Sequence, residues 1–140
     1  MHAHKKGFTL AEVMVSLAII AGLLGAGAAG MVILRSSIIS GSNHLEAQSL
    51  AFDQAWGLFS TPQFLTLQTL ASGTNNISTV AVPTNSCLYS AGGTMRTALA
   101  ASPDGSYCDI QVTVNWVQRA YGKSTAASET YYVRRYNTGR

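Results

Sequence analysis

The chain begins with a long stretch of almost uninterrupted apolar residues. This apolar run extends from Phe8 to Leu34, and its last 22 residues, Val13 to Leu34, contain Ser16 as the only polar side chain. At ~1.5 Å per residue in a helix, this length crosses a hydrocarbon core of roughly 30 Å. The pattern therefore predicts a membrane-spanning helix.

A second apolar pattern continues beyond that run. Large apolar side chains recur every seven positions, with one further aromatic residue a turn away: Ile38, Leu45, Phe52, Phe59 and Trp56. This spacing is typical of an amphipathic helix, and we expect this stripe to pack against a globular core. One helix would then run from Phe8 to about Phe59, with a bend near Gly41 and Pro62 just past its end.

The remaining residues predict a small sheet. From Cys108 to Trp116 apolar and polar residues alternate, which is the clearest strand pattern in the chain. Further strands are expected at Ile77–Val82 and at Tyr131–Tyr136, and Tyr121 to Glu129 is interpreted as a hairpin loop. Ser102-Pro103-Asp104-Gly105 is a turn signal, and residues 60–73 are compatible with a short helix or a connector. The predicted fold class is α+β: a long N-terminal helix whose second half packs on a small antiparallel sheet.

One carboxylate, Glu12, interrupts the apolar run close to its start. An ionisable group within a membrane-length segment costs a few kcal/mol on insertion scales, and such groups are usually functional. Lys5 and Lys6 precede the run, so the positive-inside rule holds that end in the cytoplasm. These features predict a single-pass protein with a functional carboxylate near the cytoplasmic end of its helix.

The segment Gly7-Phe8-Thr9-Leu10-Ala11-Glu12-Val13 resembles the class III signal peptide of type IV pilins and pseudopilins. The resemblance implies that a prepilin peptidase cuts after Gly7 and that Phe8, the new N-terminus, is N-methylated. It also implies that Glu12 acts in assembly. The run from Glu12 to Ile20 is similar to minor pilins of the PilV type and pseudopilins of the GspI type.

This resemblance also predicts organisation and location. Residues 1–7 would be a cleaved leader, 8–34 a transmembrane and filament-core helix, and 35–140 the second helix half with a small extracytoplasmic domain. The protein would sit in the bacterial inner membrane and then enter a type IV pilus, a type II secretion pseudopilus or a DNA-uptake filament. Expected partners are other pilin subunits, the prepilin peptidase and the inner-membrane assembly platform.

Cleavage would create a charge partner for Glu12. In a filament of apolar helices an unpaired carboxylate is costly, and a nearby positive charge offsets that cost. The free amino group of Phe8, on the same or an adjacent subunit, is the expected partner, because this amine exists only after Gly7 has been removed.

Three alternatives remain open at this point. The chain could be a major pilin. It could be a single-pass, membrane-anchored binding module that never polymerises, although a simple anchor has no use for Glu12. It could also be an exported protein whose ordinary signal is cut near Ala28 or Gly30.

The charge of the chain gives little support for nucleic-acid binding. The net charge is +3, but removing Lys5 and Lys6 with the leader reduces it to +1. No basic stripe is present, so direct specific binding of nucleic acid is not expected. Four cations could cluster across a hairpin, although a solvated face is favoured: Arg119, Lys123, Arg134 and Arg135.

Two cysteines, Cys87 and Cys108, suggest a disulfide, because an even count follows an export signal. It would close a loop of about 22 residues and contribute roughly 3 kcal/mol in the chain-entropy model. Two free thiols are the alternative.

Catalytic signatures are absent from the sequence. The carboxylates form no paired catalytic motif, and no nucleophile triad or phosphate-binding loop is recognisable. His44 is predicted to be solvated on the exposed side of the helix. We interpret the chain as a non-enzyme that needs no cofactor or metal.

Overall fold

The computed structural model describes residues 8–61, 63–73, 76–120 and 123–138. The chain divides into two compact units, Met1–Ile38 and Ile39–Arg140. The predicted leader, with Lys5, Lys6 and Gly7, lies outside the described residues, as does Pro62.

A single helix, α1, extends over 50 residues from Leu10 to Phe59 and confirms the predicted long helix. Helical structure continues through Gly41, so the expected bend is not marked by a break in the helix. In the first unit the side chains of the apolar run are exposed, and this part of α1 is long and apolar enough to cross a membrane. It is the one helix of this kind in the described part of the chain.

The second unit contains a short helix and four strands. Helix α2 comprises Phe64–Ser72, and the strands are β1 (Ile77–Ala81), β2 (Thr94–Ala101), β3 (Tyr107–Ala120) and β4 (Lys123–Tyr136). Each strand pairs antiparallel with its sequence neighbour, in the order β1-β2-β3-β4. The structure therefore confirms the predicted α+β class.

Strand β3 is central and fits its sequence pattern closely. Its alternate side chains are buried on one face: Cys108, Ile110, Val112, Val114 and Trp116. Helix α2 contributes Leu67 and Ala71 to the same core. The 102–105 turn joins β2 to β3, and Gly105 adopts a φ of 69°, which a side chain would disfavour.

The predicted loop from Tyr121 to Glu129 is wrong from Lys123 onward. Strand β4 begins at Lys123, where it pairs with Ala120, and stays in one register to Tyr136. The residues at 123–128 are small or polar and give no apolar alternation. Here the strand is stabilised by backbone hydrogen bonds to β3 rather than by side-chain burial, because five of its six residues from Lys123 to Ser128 are exposed.

The predicted core stripe of α1 is also wrong in most of its members. The residues of α1 that are fully buried are Ala47, Ala51 and Ala55, which recur every four positions. Phe52 is 44% exposed and Trp56 is 55% exposed. These small side chains form the buried seam of α1, and the bulky aromatic residues lie at the flank of the contact.

Leu45 and Ile38 are exposed as well, whereas Phe59 is partly buried against the core. The seven-residue recurrence of large apolar side chains therefore lies along a side of α1 that is mostly exposed rather than along its core contact.

Candidate functional site: the N-terminal segment

The start of α1 is built by reciprocal hydrogen bonds between Thr9 and Glu12. The Thr9 backbone N–H donates to Glu12 Oε2 at 2.9 Å, and the Thr9 hydroxyl donates to the same oxygen at 3.1 Å. The Glu12 N–H donates to Thr9 Oγ1 at 3.3 Å. This is a capping box, in which two N–H groups at the helix start are satisfied by side chains.

The capping box gives Glu12 a local partner that the predictions did not include. The pattern Thr-x-x-Glu before an apolar run signals this arrangement, and it is present at residues 9–12. A carboxylate at this position also interacts favourably with the positive end of the helix dipole. Glu12 therefore stabilises the start of α1 within a single chain.

The surroundings of Glu12 are open. The adjacent residues Phe8 and Leu10 are largely exposed, and the Ser16 hydroxyl donates to the Glu12 carbonyl at 2.8 Å. Gly7, the predicted cleavage position, lies outside the described residues. Among the described residues, the side chains of Phe8 and Glu12 are both exposed at the start of α1.

The predicted disulfide between Cys87 and Cys108 is absent from the structure, where both cysteines are free thiols. Cys87 follows β1 and lies near the loop that enters β2, whereas Cys108 pairs with Ala101 at the far end of β2. Seven residues of strand, about 23 Å, separate these two ends of β2. A disulfide requires Cα atoms within roughly 7 Å, so the register keeps the two thiols apart.

Cys87 instead contacts the second half of α1. Its thiol donates to the Glu46 carboxylate and to Asn43 Oδ1, the latter at 3.3 Å, and its N–H donates to Glu46 Oε1 at 3.0 Å. The hydrogen bond to Glu46 raises the pKa of the Cys87 thiol to about 11 and lowers the pKa of Glu46. Cys108 is buried on β3, and burial raises the pKa of its thiol.

His44 is not the solvated residue that the sequence suggested. Its Nδ1 lies 2.7 Å from Glu129 Oε1 on β4, and its ring meets the Trp116 ring edge-on at 5.0 Å. The Trp116 Nε1–H is buried without a hydrogen-bond partner among the described residues. His44 therefore links α1 to two strands of the sheet.

The four candidate cations do not form one patch. Arg119 and Lys123 flank the tip of the β3–β4 hairpin, whereas Arg134 and Arg135 lie about 35 Å further along β4. The Arg134 guanidinium forms a two-point ion pair with Asp109, at 2.6 and 2.9 Å, which lowers the pKa of Asp109. The arrangement provides no continuous basic surface for a nucleic-acid backbone.

Within residues 8–61, 63–73, 76–120 and 123–138, no group of three or more His, Cys, Asp or Glu side chains is placed to hold a metal ion.

Comparison with known proteins identifies the N-terminal segment. Residues 2–32 match the family model described as the prokaryotic N-terminal methylation motif. No curated protein and no solved structure matches the chain. The match covers Phe8, Thr9 and Glu12 and most of the apolar run.

Proteins that carry this motif are structural subunits made as precursors. The match and the apolar first half of α1 together support a class III signal like that of type IV pilins, followed by a helix that can anchor the chain in a membrane.

Proposed function

We propose that the chain is a structural subunit, a minor pilin or pseudopilin, of a type IV pilus, a type II secretion pseudopilus or a DNA-uptake filament. The observation that carries the proposal is the methylation motif at residues 2–32, which overlaps the start of a 50-residue helix with an apolar first half. The similarity of Glu12–Ile20 to the PilV and GspI types supports a minor subunit over a major pilin.

In this proposal the precursor is held in the inner membrane by residues 8–34. Residues 1–7 remain on the cytoplasmic side, in keeping with Lys5 and Lys6, and residues 35–140 form the extracytoplasmic part. The prepilin peptidase hydrolyses the peptide bond between Gly7 and Phe8, and the new amino group of Phe8 is methylated. The assembly platform then brings the helix among those of other subunits.

Glu12 has a different environment before and after assembly in this scheme. In a single chain its carboxylate accepts hydrogen bonds from Thr9. In a bundle of apolar helices the loss of water makes those neutral donors insufficient for a full negative charge, since buried ions need a charged partner. The amine of Phe8 supplies that charge, so cleavage and assembly are coupled.

A second candidate function follows from the capping box itself. Because Thr9 already accounts for Glu12 as a helix cap, a non-polymerising, membrane-anchored binding module would also retain this carboxylate. The two candidates differ in whether the charge of Glu12, rather than its hydrogen bonds, is required.

The experiment that tests the proposal is intact-mass analysis and N-terminal sequencing of the protein from its native host, in membranes and in sheared filaments. A chain that starts at N-methylated Phe8 and is found in the filament fraction is expected. A chain that starts beyond Ala28 would mean an ordinary export signal, and the filament role would be wrong. Unprocessed chain confined to membranes would support the anchored module.

A further inference from the structure

The outer edge of β4 is open along its length. β4 is the last strand in the sheet order and, within the described part of the chain, pairs only with β3. The Asn137 N–H donates to the Ser106 carbonyl at 2.8 Å, which identifies these residues as a hydrogen-bonded pair at the end of the ladder. Because such pairs alternate with non-bonded pairs in an antiparallel ladder, the constant register directs the N–H groups of Thr130, Tyr132 and Arg134 outward.

This edge lacks the features that usually protect an edge strand. Such strands are commonly short, or carry proline or charged side chains along their length. β4 has 14 residues and no proline, and its cations lie at its two ends. Between Ser124 and Val133 the one charged residue is Glu129, which is engaged with His44. No backbone hydrogen bond reaches the outer edge from the described residues.

Two cavities, together called the groove, lie between β4 and the second half of α1. One cavity of about 540 Å³ is lined by Leu45 and Phe52 of α1 and by Tyr131 of β4. Another of about 490 Å³ is lined by Trp56, Phe59, Arg135 and Tyr136 among others.

The β4 segments that line the two cavities, 129–131 and 134–136, are offset by five residues, or about 17 Å. The groove therefore offers two apolar sites along one strand edge.

The end of the groove near Phe59 carries the positive charge of Arg135. The Arg135 guanidinium donates to the Thr61 carbonyl at 2.5 Å and lies over the Phe59 ring at 5.9 Å. Among the described residues no carboxylate forms an ion pair with it, whereas the adjacent Arg134 is paired with Asp109. A carboxylate on a bound molecule would complete the interactions of Arg135.

We propose that this groove binds an extended segment of a partner protein, which adds to β4 as a fifth strand. Main-chain hydrogen bonds supply affinity in this mode of recognition, and pockets for alternate side chains supply specificity. The segment has apolar side chains at alternate positions facing α1 and a carboxylate beside Arg135. This interaction does not depend on whether the chain polymerises.

The occupant is a different protein rather than a second copy of this chain. The other edge strand, β1, is exposed and carries Ile77 and Val80. However, β1 contains no acidic residue, and Glu129, the one acidic residue of β4, is already paired with His44, so neither edge strand of a second copy supplies the carboxylate that Arg135 lacks. The charge of the groove therefore favours a partner with an acidic residue at the end of its strand.

The test uses the full chain in detergent micelles and a fluorescein-labelled synthetic peptide of roughly eight residues, ~26 Å when extended. In this peptide valine alternates with threonine, and the terminal residue is a glutamate. Fluorescence anisotropy measures binding. If the peptide runs antiparallel to β4, the outward N–H groups of β4 pair with peptide residues whose side chains point away from α1. These residues are the threonines, so the threonine N–H groups of the peptide point at β4.

Two methylated forms of this peptide are the matched pair. Methylating the threonine nitrogens is expected to abolish binding, while methylating the valine nitrogens leaves it nearly unchanged. The reverse order would support strand addition in the parallel direction. Equal effects of the two sets, or no binding of the unmodified peptide, would overturn the proposal. Glutamine in place of the glutamate is expected to weaken binding, and equal affinity would overturn the role of Arg135.

A variant on the protein side gives an independent check. Thr130→Pro removes an outward N–H, and Thr130→Val keeps that N–H while losing the same hydroxyl. We expect Thr130→Pro to weaken binding at least about tenfold, ~1.4 kcal/mol, and Thr130→Val to change it by less than about twofold. If Thr130→Pro fails to fold, the methylated peptides still test whether the peptide adds to β4 as a strand. The proposal would also be overturned if the chain did not bind the peptide but self-associated, and if Thr130→Pro abolished this self-association. That result would assign the groove to a second copy.

Discussion

Thr9 and Glu12 hold each other across the first turn of α1, with the Thr9 N–H donating to the Glu12 carboxylate and the Glu12 N–H donating to the Thr9 hydroxyl. This relationship separates two roles of Glu12. The side-chain oxygen caps the helix, and under the proposed function the negative charge pairs with the Phe8 amine that cleavage creates.

Replacing Glu12 distinguishes those two roles. Glu12→Gln retains an oxygen that can accept the Thr9 N–H but removes the charge, whereas Glu12→Ala removes both. We expect both variants to be cleaved largely as the natural chain is. Both should enter filaments at least about tenfold less well, ~1.4 kcal/mol, because a buried amine without a charged partner is costly. The measurement is the amount of the chain in sheared filaments relative to membranes.

Thr9→Val is the control for Glu12, since it removes the capping hydroxyl and leaves the charge. Near-normal incorporation is expected for this variant. If Glu12→Gln also entered filaments normally while Glu12→Ala did not, the cap rather than the charge would be the function of Glu12.

The cleavage position is tested by Gly7→Val. A β-branched side chain next to the scissile bond should prevent the peptidase from cutting, so the precursor is expected to accumulate at its full mass. Gly7→Ala is the milder companion variant, with slow but detectable cleavage. Unchanged processing of Gly7→Val would mean that the bond after Gly7 is not the one cut.

The cysteines predict a specific pattern of alkylation. The Glu46 carboxylate stabilises the protonated Cys87 thiol, so Cys87 should react slowly with iodoacetamide at about pH 8, below its pKa of about 11. Glu46→Ala removes the acceptor and lowers the pKa, and each unit of that fall raises the thiolate fraction about tenfold. We expect at least about tenfold faster labelling, measured by intact mass.

The same measurement has two controls. Asn43→Ala removes the neutral acceptor and should change the rate much less than Glu46→Ala. In denaturant without reductant, both cysteines should be alkylated, because both thiols are free in the structure. A denatured chain that takes up no label would show that a disulfide is present after all.

The core contact of α1 predicts different costs of substitution at two positions five residues apart, Ala51 and Trp56. Ala51 is fully buried, so Ala51→Leu overfills the contact and should cost about 1–3 kcal/mol. Trp56 is more than half exposed, so Trp56→Ala should cost less than about 1 kcal/mol despite the loss of a much larger side chain. Thermal unfolding of the two variants in detergent measures both effects. A greater loss for Trp56→Ala would restore the aromatic stripe as the core.

The sequence was sufficient where burial follows a simple period. The alternation from Cys108 to Trp116 identified β3 and its buried face, and the unbroken apolar run identified the start of α1. It failed for β4, where Lys123 to Ser128 are paired through their backbone and have little reason to be apolar. It also missed β2, whose short run from Thr94 to Ala101 contains mostly small or polar residues.

Other errors concern which residues pack together in the fold, because the periodicity of a sequence does not specify the neighbours of a side chain. The seven-residue repeat predicts the core face, but the alanines four residues apart form the buried seam instead. His44 was read as solvated because its partner, Glu129, lies 85 positions away in sequence. The capping box was also missed, although its signal, Thr9 and Glu12 three residues apart, is local.

The positions of the two tryptophans have an optical consequence. Trp116 is 2% exposed in the core and meets the His44 ring, while Trp56 is 55% exposed at the groove beside β4. A water-soluble quencher such as acrylamide should therefore quench the fluorescence of Trp56 and leave that of Trp116 nearly unchanged. The blue-shifted component of the emission comes from Trp116 and would report unfolding of the core. The red-shifted component comes from Trp56 and would report binding at the groove, so one spectrum follows both events without an added label.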